Sequence, residues 1–367
     1  MTQGRMIEYI REEPEAVANT LLTCRTGIAA LLKVVAANPP KHVIVTGLGS
    51  SYTAAQMASP LLRRCIGIPT TITVATEMGV DLGLALGPDT LVILASRSGE
   101  RGGIVDALAA ARNVGATCVA VTGVESSLLG QEADVVIVTG EGPETTYAKT
   151  KSVIATATAL IEIGVALDTD TIQSARLEAA LARVPELLAS EIAEIERDFD
   201  AMLGTLMSYE TALIAGTAGN QGVAQEASLK IQETASVTCE WDETGSVLYG
   251  TVPILNPAWL FITLVTSADY ELNRQLLGVV GRFGAYRLGI AEKRLDLEDC
   301  TDLLIRVESV GEPLLAPLFY LAPIHLLAYH FSVGRGLNPD EPLYADMMLE
   351  AMLPPGRNEP DWRPVAS

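Results

Sequence analysis

The strongest constraint in this chain is a repeat that keeps its register. Gly47 and Gly216 each follow a short apolar run, and their separation equals that between Gly115-Ala116 and Gly284-Ala285. Ile93 and Ile262 hold the same separation, and Asp134 before VVIV is matched, one residue short, by Asp302 before LLIRV. A register kept over four strands argues two copies of one unit. Within the first copy, Val43–Val45, Thr71–Val74, Leu91–Ala95, Cys118–Thr122 and Val135–Val138 read as buried strands. Helical stretches alternate with them, one from about Tyr52 and a long one from about Lys149 to Ala166. The alternation predicts an α/β fold of two similar doubly wound parallel sheets in tandem. The expected divisions are a helical lead-in over 1–38, interrupted at Pro14, a first unit over 39–170, a helical connector over 171–203, a second unit over 204–335 and an extended, proline-rich tail over 336–367.

Two turns in the first copy carry the functional signal. The run Leu91–Ala95 stops in Ser96-Arg97-Ser98-Gly99-Glu100, and Ile104, Ala107, Leu108 and Ala111 then recur at helical spacing. Upstream, Val43–Val45 runs into Gly47-Leu48-Gly49-Ser50-Ser51. Each turn places hydroxyls, glycine and the first free N–H groups of a helix at a strand's C-terminal end, which is an anion seat in open α/β sheets. The corresponding turn of the second copy, Val265-Thr266-Ser267-Ala268-Asp269, contains an acid and has little anion-binding character. Only the first copy is expected to hold an anion.

A net charge of -20 excludes a nucleic-acid surface, and it requires any bound anion to be held by local amides and hydroxyls. Cys24, Cys65, Cys118, Cys239 and Cys300 are odd in number and lack metal spacing, so they read as reduced thiols. The acidic N-terminus, with Glu8, Glu12, Glu13 and Glu15, does not resemble a signal peptide, and apolar stretches such as Ala258–Val265 are too short to span a bilayer. A cytoplasmic protein with no metal, cofactor, nucleic-acid or membrane partner is expected.

The helix that opens the second copy, QGVAQEASLKIQE, sets Glu226, Lys230 and Glu233 on one face. It starts just after Gly216-Thr217-Ala218-Gly219-Asn220, so its first turns stand near the cleft. A carboxylate there, beside an ammonium, has the means to move a proton between adjacent sugar carbons. His325 and His330 lie on an apolar stretch and read as core residues, and His42 carries no functional signal.

Four stretches now resemble the tandem sugar isomerase (SIS) domain family: Gly47-Leu48-Gly49-Ser50-Ser51-Tyr52, Ser96-Arg97-Ser98-Gly99-Glu100, ETTYAKTK over Glu144 to Lys151, and Glu226-Ala227-Ser228-Leu229-Lys230-Ile231-Gln232-Glu233. MIEYIREEPEA and PIHLLAYHFSVGRGLNPDEP extend the likeness from about residue 6 to about residue 345. The resemblance implies two flavodoxin-like (Rossmann-like) units and a sugar phosphate seat at Gly49, Ser50, Ser51, Ser96, Ser98 and the amides around Gly99, with Tyr147 also contacting substrate. It puts the proton shuttle between C1 and C2 on Glu233, with Lys230 and Glu226 in support, in a homodimer whose site is shared between subunits.

The departures narrow the reaction. Arg97 and Arg101 stand where family members commonly have Gln and Thr; each guanidinium either binds the phosphate or another substrate carboxylate, or sits at the surface. Tyr249 occupies the place of the family's ring-opening histidine, and a phenol is a poor base at neutral pH. Either another group opens the ring, with Asp242 and Glu243 nearby, or the substrate arrives open, or this copy is catalytically weak. No cysteine-nucleophile glutaminase segment is present, and the last lysine is Lys293, with about Met347 where the synthases carry an imine-forming lysine. Glutamine-dependent synthesis is therefore not expected. An isomerase, deaminase or deglycase acting on a phosphorylated sugar is the leading expectation, and a non-catalytic sugar phosphate sensor is the alternative.

Overall fold

The computed structural model describes residues 4–78, 80, 86–100, 102–341, 343–345 and 347. Two helices lead in, α1 (Arg5–Arg11) and α2 (Glu13–Ala37). The break falls at Glu12, and Pro14 sits inside the first turn of α2, where its missing N–H removes no hydrogen bond. Met6, Ile7 and Ile10 bury one side of α1. Its open N-terminus is capped from far along the chain, since Asp340 accepts hydrogen bonds from the Arg5 and Met6 amides at 2.8 and 2.9 Å. The start of the tail thus returns to the start of the chain. The rest of the expected extended tail, from Pro354 on, lies outside the described residues.

The first unit runs β1 (His42–Gly47), α3 (Ser50–Ile66), β2 (Thr70–Val74), β3 (Thr90–Ala95), α4 (Gly102–Asn113), β4 (Thr117–Thr122), α5 (Leu128–Glu132), β5 (Val135–Val138) and α6 (Lys151–Leu167). Two connecting helices follow, α7 (Thr171–Leu181) and α8 (Val184–Leu206). The second unit runs β6 (Thr211–Gly216), α9 (Gly219–Ala235), β7 (Thr238–Glu243), a single turn α10 (Thr244–Ser246), β8 (Trp259–Val265), α11 (Tyr270–Phe283), β9 (Tyr286–Glu292), β10 (Leu303–Val307) and α12 (Pro317–Gly334).

All strand pairs are parallel, in the orders β2-β1-β3-β4-β5 and β10-β9-β8-β6-β7. These are one flavodoxin-like order used twice. The register repeats residue for residue: Val45 pairs with Ile93 as Ile214 pairs with Ile262, and Leu91 pairs with Thr117 as Leu260 pairs with Tyr286. The aspartates flagged in the sequence play one role twice. Asp134 accepts the Cys118 amide at 2.7 Å and Asp302 accepts the Arg287 amide at 2.8 Å, each holding the start of one strand to the turn before the next.

The two units share one apolar core that runs through α2, α3, α6, α9 and α12 between the sheets. Helix α9 approaches α3 closely because it presents glycine there: a Cβ on Gly222 would lie 2.6 Å from the Met57 amide nitrogen and 2.8 Å from the Thr53 carbonyl oxygen. All five cysteines are buried free thiols. His325 is buried and its Nδ1 stands 2.6 Å from Glu13, while His330 stacks on Phe199.

One expectation needs correction. The segments Glu13–Ala37 and Pro313–Gly334 are helical and, by length and composition, apolar enough to cross a bilayer. Scattered polar residues hid this in the sequence. The second segment is a core element, 83% buried, and its hydrophobicity is used by packing. The first is 28% buried and exposes Leu22 and Leu32.

The repeat also preserves a strained turn. Gly49 has φ 52° and ψ -128° before α3, and Ala218 has φ 52° and ψ -123° before α9. A methyl group in this region costs about 1–3 kcal/mol, against up to about 1 kcal/mol for the extra freedom that glycine gives the unfolded chain. Ala218→Gly should therefore raise the urea midpoint, by about 1 kcal/mol in stability, at unchanged slope. A lowered midpoint would contradict the strain.

Candidate active site

The candidate site lies at the C-terminal ends of β1 and β3, where the strand order reverses. At the β3 end the Ser96 amide continues the ladder to Val121, and the Gly99 amide then donates to Ser96 Oγ at 3.2 Å. This closes a tight turn. Gly99 has φ 64°, and a Cβ there would stand 2.1 Å from Ser127 Oγ, so the turn packs on the segment before α5 in a way only glycine permits. Leu129 N donates to the Gly99 carbonyl at 3.0 Å and completes the lock. The hydroxyls of Ser51 and Ser98 bond to no other described residue and remain available as donors.

A cavity of about 400 Å³ opens between these turns and α9. Ser50, Ser51, Ser96, Arg97 and Ser98 line it from the first unit, together with Tyr147, and Lys230 and Glu233 line it from the second. Gly49 and Gly99 shape the turns without lining the cavity. Arg101 lies outside the described residues. Tyr249 does not join the others: it is 83% exposed, on a π-helical turn over Val247–Thr251, and within one chain it lines no part of the cavity. Its neighbours are engaged elsewhere. Asp242 accepts from Thr251 Oγ1 at 2.7 Å, and Glu243 caps α10 through the Ser246 amide at 2.9 Å. Within one chain Tyr249 thus stands apart from Glu233, because the chain turns out of the cleft at α10.

Lys149, Ser152 and Thr156 line the cavity and were not singled out from the sequence. Lys149 belongs to the quoted ETTYAKTK stretch, but a lysine in a loop carries no periodic signal. The loop is built around Glu144, a buried carboxylate that accepts from the Thr150 amide at 2.7 Å, Thr150 Oγ1 at 3.0 Å and the Ser152 amide at 3.1 Å. Two of these are amides at the start of α6, so Glu144 also caps that helix.

The three charged residues of α9 form one buried chain. Glu226, fully buried, accepts from Ser50 Oγ at 2.9 Å and Thr53 Oγ1 at 2.5 Å across the seam, and stands 3.5 Å from Lys230 Nζ. Lys230 is paired in turn with Glu233. Burial opposes the Lys230 charge, but the carboxylates of Glu233 and Glu226 outweigh it and its pKa is raised. Burial also raises the pKa of Glu233, against the downward pull of Lys230. Tyr147 is raised by burial and by the nearby Glu233 charge.

In the second unit the equivalent turn is filled by its own chain. Asp269 accepts from the Thr266 amide at 2.8 Å and Thr266 Oγ1 at 2.9 Å, and Glu292 accepts from the Ser267 amide at 3.2 Å. Carboxylates sit where an anion would. Among the described residues, no group of three or more His, Cys, Asp or Glu side chains is placed to hold a metal ion.

Residues 38–162 match the family model described as SIS domain. Over 345 residues the chain is 28% identical to a glutamine--fructose-6-phosphate aminotransferase [isomerizing] of Pyrococcus horikoshii, covering 92% of this chain and 56% of that protein. The chain spans about half the length of the curated relatives it matches. Among solved structures, the C-terminal domain of glucosamine-fructose-6-phosphate aminotransferase from Francisella tularensis superposes with a TM-score of 0.82 at 19% identity, over 92% of this chain and 98% of that one. Glucosamine-6-phosphate deaminase from Thermotoga maritima superposes with a TM-score of 0.68 at 20% identity, over 89% and 97%. At such identities the superpositions establish the shared fold.

Buried Glu226 accepts two hydroxyl hydrogen bonds, and its removal leaves Lys230 buried with one carboxylate. Glu226→Ala should cost about 3 kcal/mol, measured by urea unfolding. Glu233→Ala, at a side chain 19% exposed on the cavity wall, should cost clearly less. Equal costs would place the structural burden on both carboxylates alike.

Proposed function

From a chain whose first unit carries a SIS domain and whose two units resemble the tandem sugar isomerase family, we propose a phosphosugar-processing enzyme. Its class is an aldose–ketose isomerase or a deaminase or deglycase of amino-sugar or fructosamine phosphates. The relatives' printed names, aminotransferase [isomerizing] and deaminase, are consistent with chemistry at neighbouring sugar carbons. One observation carries the reading: Glu233 lines the same cavity as Ser96 and Ser98, though the residues come from different copies of the repeat.

The division of labour follows from position. Ser51, Ser96 and Ser98 donate hydroxyl hydrogen bonds to the phosphate at the positive end of α4, and Arg97 adds charge from the same wall. Glu233 takes a proton from the carbon beside the carbonyl and returns it to the neighbouring carbon. Lys230 and Glu226 hold its carboxylate in place. Tyr147 closes one side of the cavity. In this reading Tyr249 acts in a second copy of the chain, which is consistent with a homodimer whose site is shared between subunits.

The test is Glu233→Gln. Turnover on hexose phosphates, read as isomer formation and as ammonia release from amino-sugar phosphates, should fall by about two orders of magnitude or more while binding stays nearly intact. Because burial holds Glu233 above the ordinary carboxylate range, the wild-type rate should fall on acidification at a pH above that range, as the base becomes protonated. Binding of a hexose phosphate with no conversion over hours would point to a sensor instead.

A further inference from the structure

Lys149 takes no part in the shuttle described above, yet the structure spends much on placing it. Its Nζ donates to the Glu144 and Thr146 carbonyls at 2.9 and 2.7 Å. The loop that carries those carbonyls is pinned by the buried Glu144 carboxylate, through the three hydrogen bonds described above. Carbonyl oxygens solvate the charged form of an amine, so Lys149 is held as a cation at a defined place. It reaches the cavity from the first copy, whereas Glu233 reaches it from the second. The other cation on the Glu233 side, Lys230, is already matched by two carboxylates.

We propose that Lys149 is the electrophile of the reaction, its ammonium meeting the negative charge that develops on the sugar carbonyl oxygen. The inference rests on the proton-transfer reading given above. In the step, Glu233 accepts the proton from the carbon adjacent to the carbonyl. The C–H pair becomes the C=C bond, and the carbonyl π pair moves to oxygen, beside Lys149. Return of the proton from Glu233 to the other carbon, with loss of the neighbouring hydroxyl proton to the oxygen, completes an isomerisation. A fixed charge aimed at a developing oxyanion typically supplies about two to three orders of magnitude in rate.

Three charged groups bear on the titration of Glu233, Lys230 and Glu226 on its own helix and Lys149 on the opposite loop, where Tyr147 is itself raised by the Glu233 charge. The Lys149 charge lowers the Glu233 pKa, and its removal leaves burial less opposed.

The experiment follows, in heavy water, deuterium incorporation at C1 of fructose 6-phosphate and at C2 of the aldose 6-phosphate formed from it, with wild type, Glu233→Gln, Lys149→Met and Lys149→Arg. Lys149→Met should slow exchange about 100-fold, leave affinity for fructose 6-phosphate within about threefold, and move the acid limb of the rate to higher pH. Lys149→Arg should recover at least about a tenth of the rate, since the charge is restored, and it carries the comparison if the methionine variant fails to fold. Exchange by Lys149→Met near the wild-type rate, or a loss of affinity equal to the loss of rate with an unmoved acid limb, overturns the role of Lys149. If Glu233→Gln abolishes exchange in that same experiment, the proton-transfer reading survives. Exchange unaffected by Glu233→Gln, or absent in wild type, overturns both.

Discussion

A single buried carboxylate closes the seam between the two copies, and the site depends on it. Glu226 is inaccessible to water, and an ionised group there is sustained only by partners that replace hydration. Two of those partners, Ser50 and Thr53, belong to the first helix of the other copy, and the third is Lys230, one turn along its own helix. Such contacts require α9 to lie almost backbone to backbone with α3, which glycine at Gly219 and Gly222 allows. Close approach, carboxylate and hydroxyls are thus one device. It aims the next turn of α9, with Glu233, at the serine-lined turn of the first sheet.

In the proposed reading, duplication supplied two anion-binding turns and divergence kept one open. The backbone of the second turn survives even to the positive φ of Ala218, a conformation better suited to the glycine of the first copy. The donors of the β8–α11 turn, Thr266 and Ser267, are however saturated by Asp269 and Glu292. The first turn keeps neutral hydroxyls, a glycine amide and the start of a helix. In a chain of net charge -20, the Ser51, Ser96 and Ser98 hydroxyls and the Lys149 and Lys230 side chains thus line one cleft. In the proposed function the second copy, relieved of binding an anion, presents the acid and base groups.

The strands of the first copy and the duplicated register were legible because buried parallel strands leave continuous apolar runs, and because Asp134 and Asp302 mark the same turn, whereas β7, TCEWDE, is polar and left no such run. The α9 face was legible because three charges at helical spacing define a direction. What escaped was set by tertiary placement. Lys149 lies in a loop whose shape depends on a buried carboxylate five residues earlier, and no spacing rule reads that. The surface position of Tyr249 within one chain is set by the strand, turn and π-helical segment that separate it from Glu233. The apolar character of Pro313–Gly334 was understated because two histidines and three prolines interrupt it, although packing buries most of the helix.

The electrostatics of the α9 face also bear on which chemistry the site is built for. An amine attacks a carbonyl only when neutral, and a lysine recruited for imine formation has its pKa lowered by burial or by other cations. Lys230 has the burial but not the consequence, because Glu226 and Glu233 flank it and raise its pKa. Lys149 is turned toward two carbonyls, which also favour the ammonium. Both lysines of the cavity are therefore organised as cations. Glu233, conversely, is made a stronger base than an ordinary carboxylate by burial, while Lys230 keeps it from being neutralised outright. A base of raised strength beside fixed positive charges suits removal of a proton next to a carbonyl, where negative charge moves to oxygen in the transition state. It does not suit covalent capture of the sugar by an amine, and the proposed proton shuttle follows from that contrast.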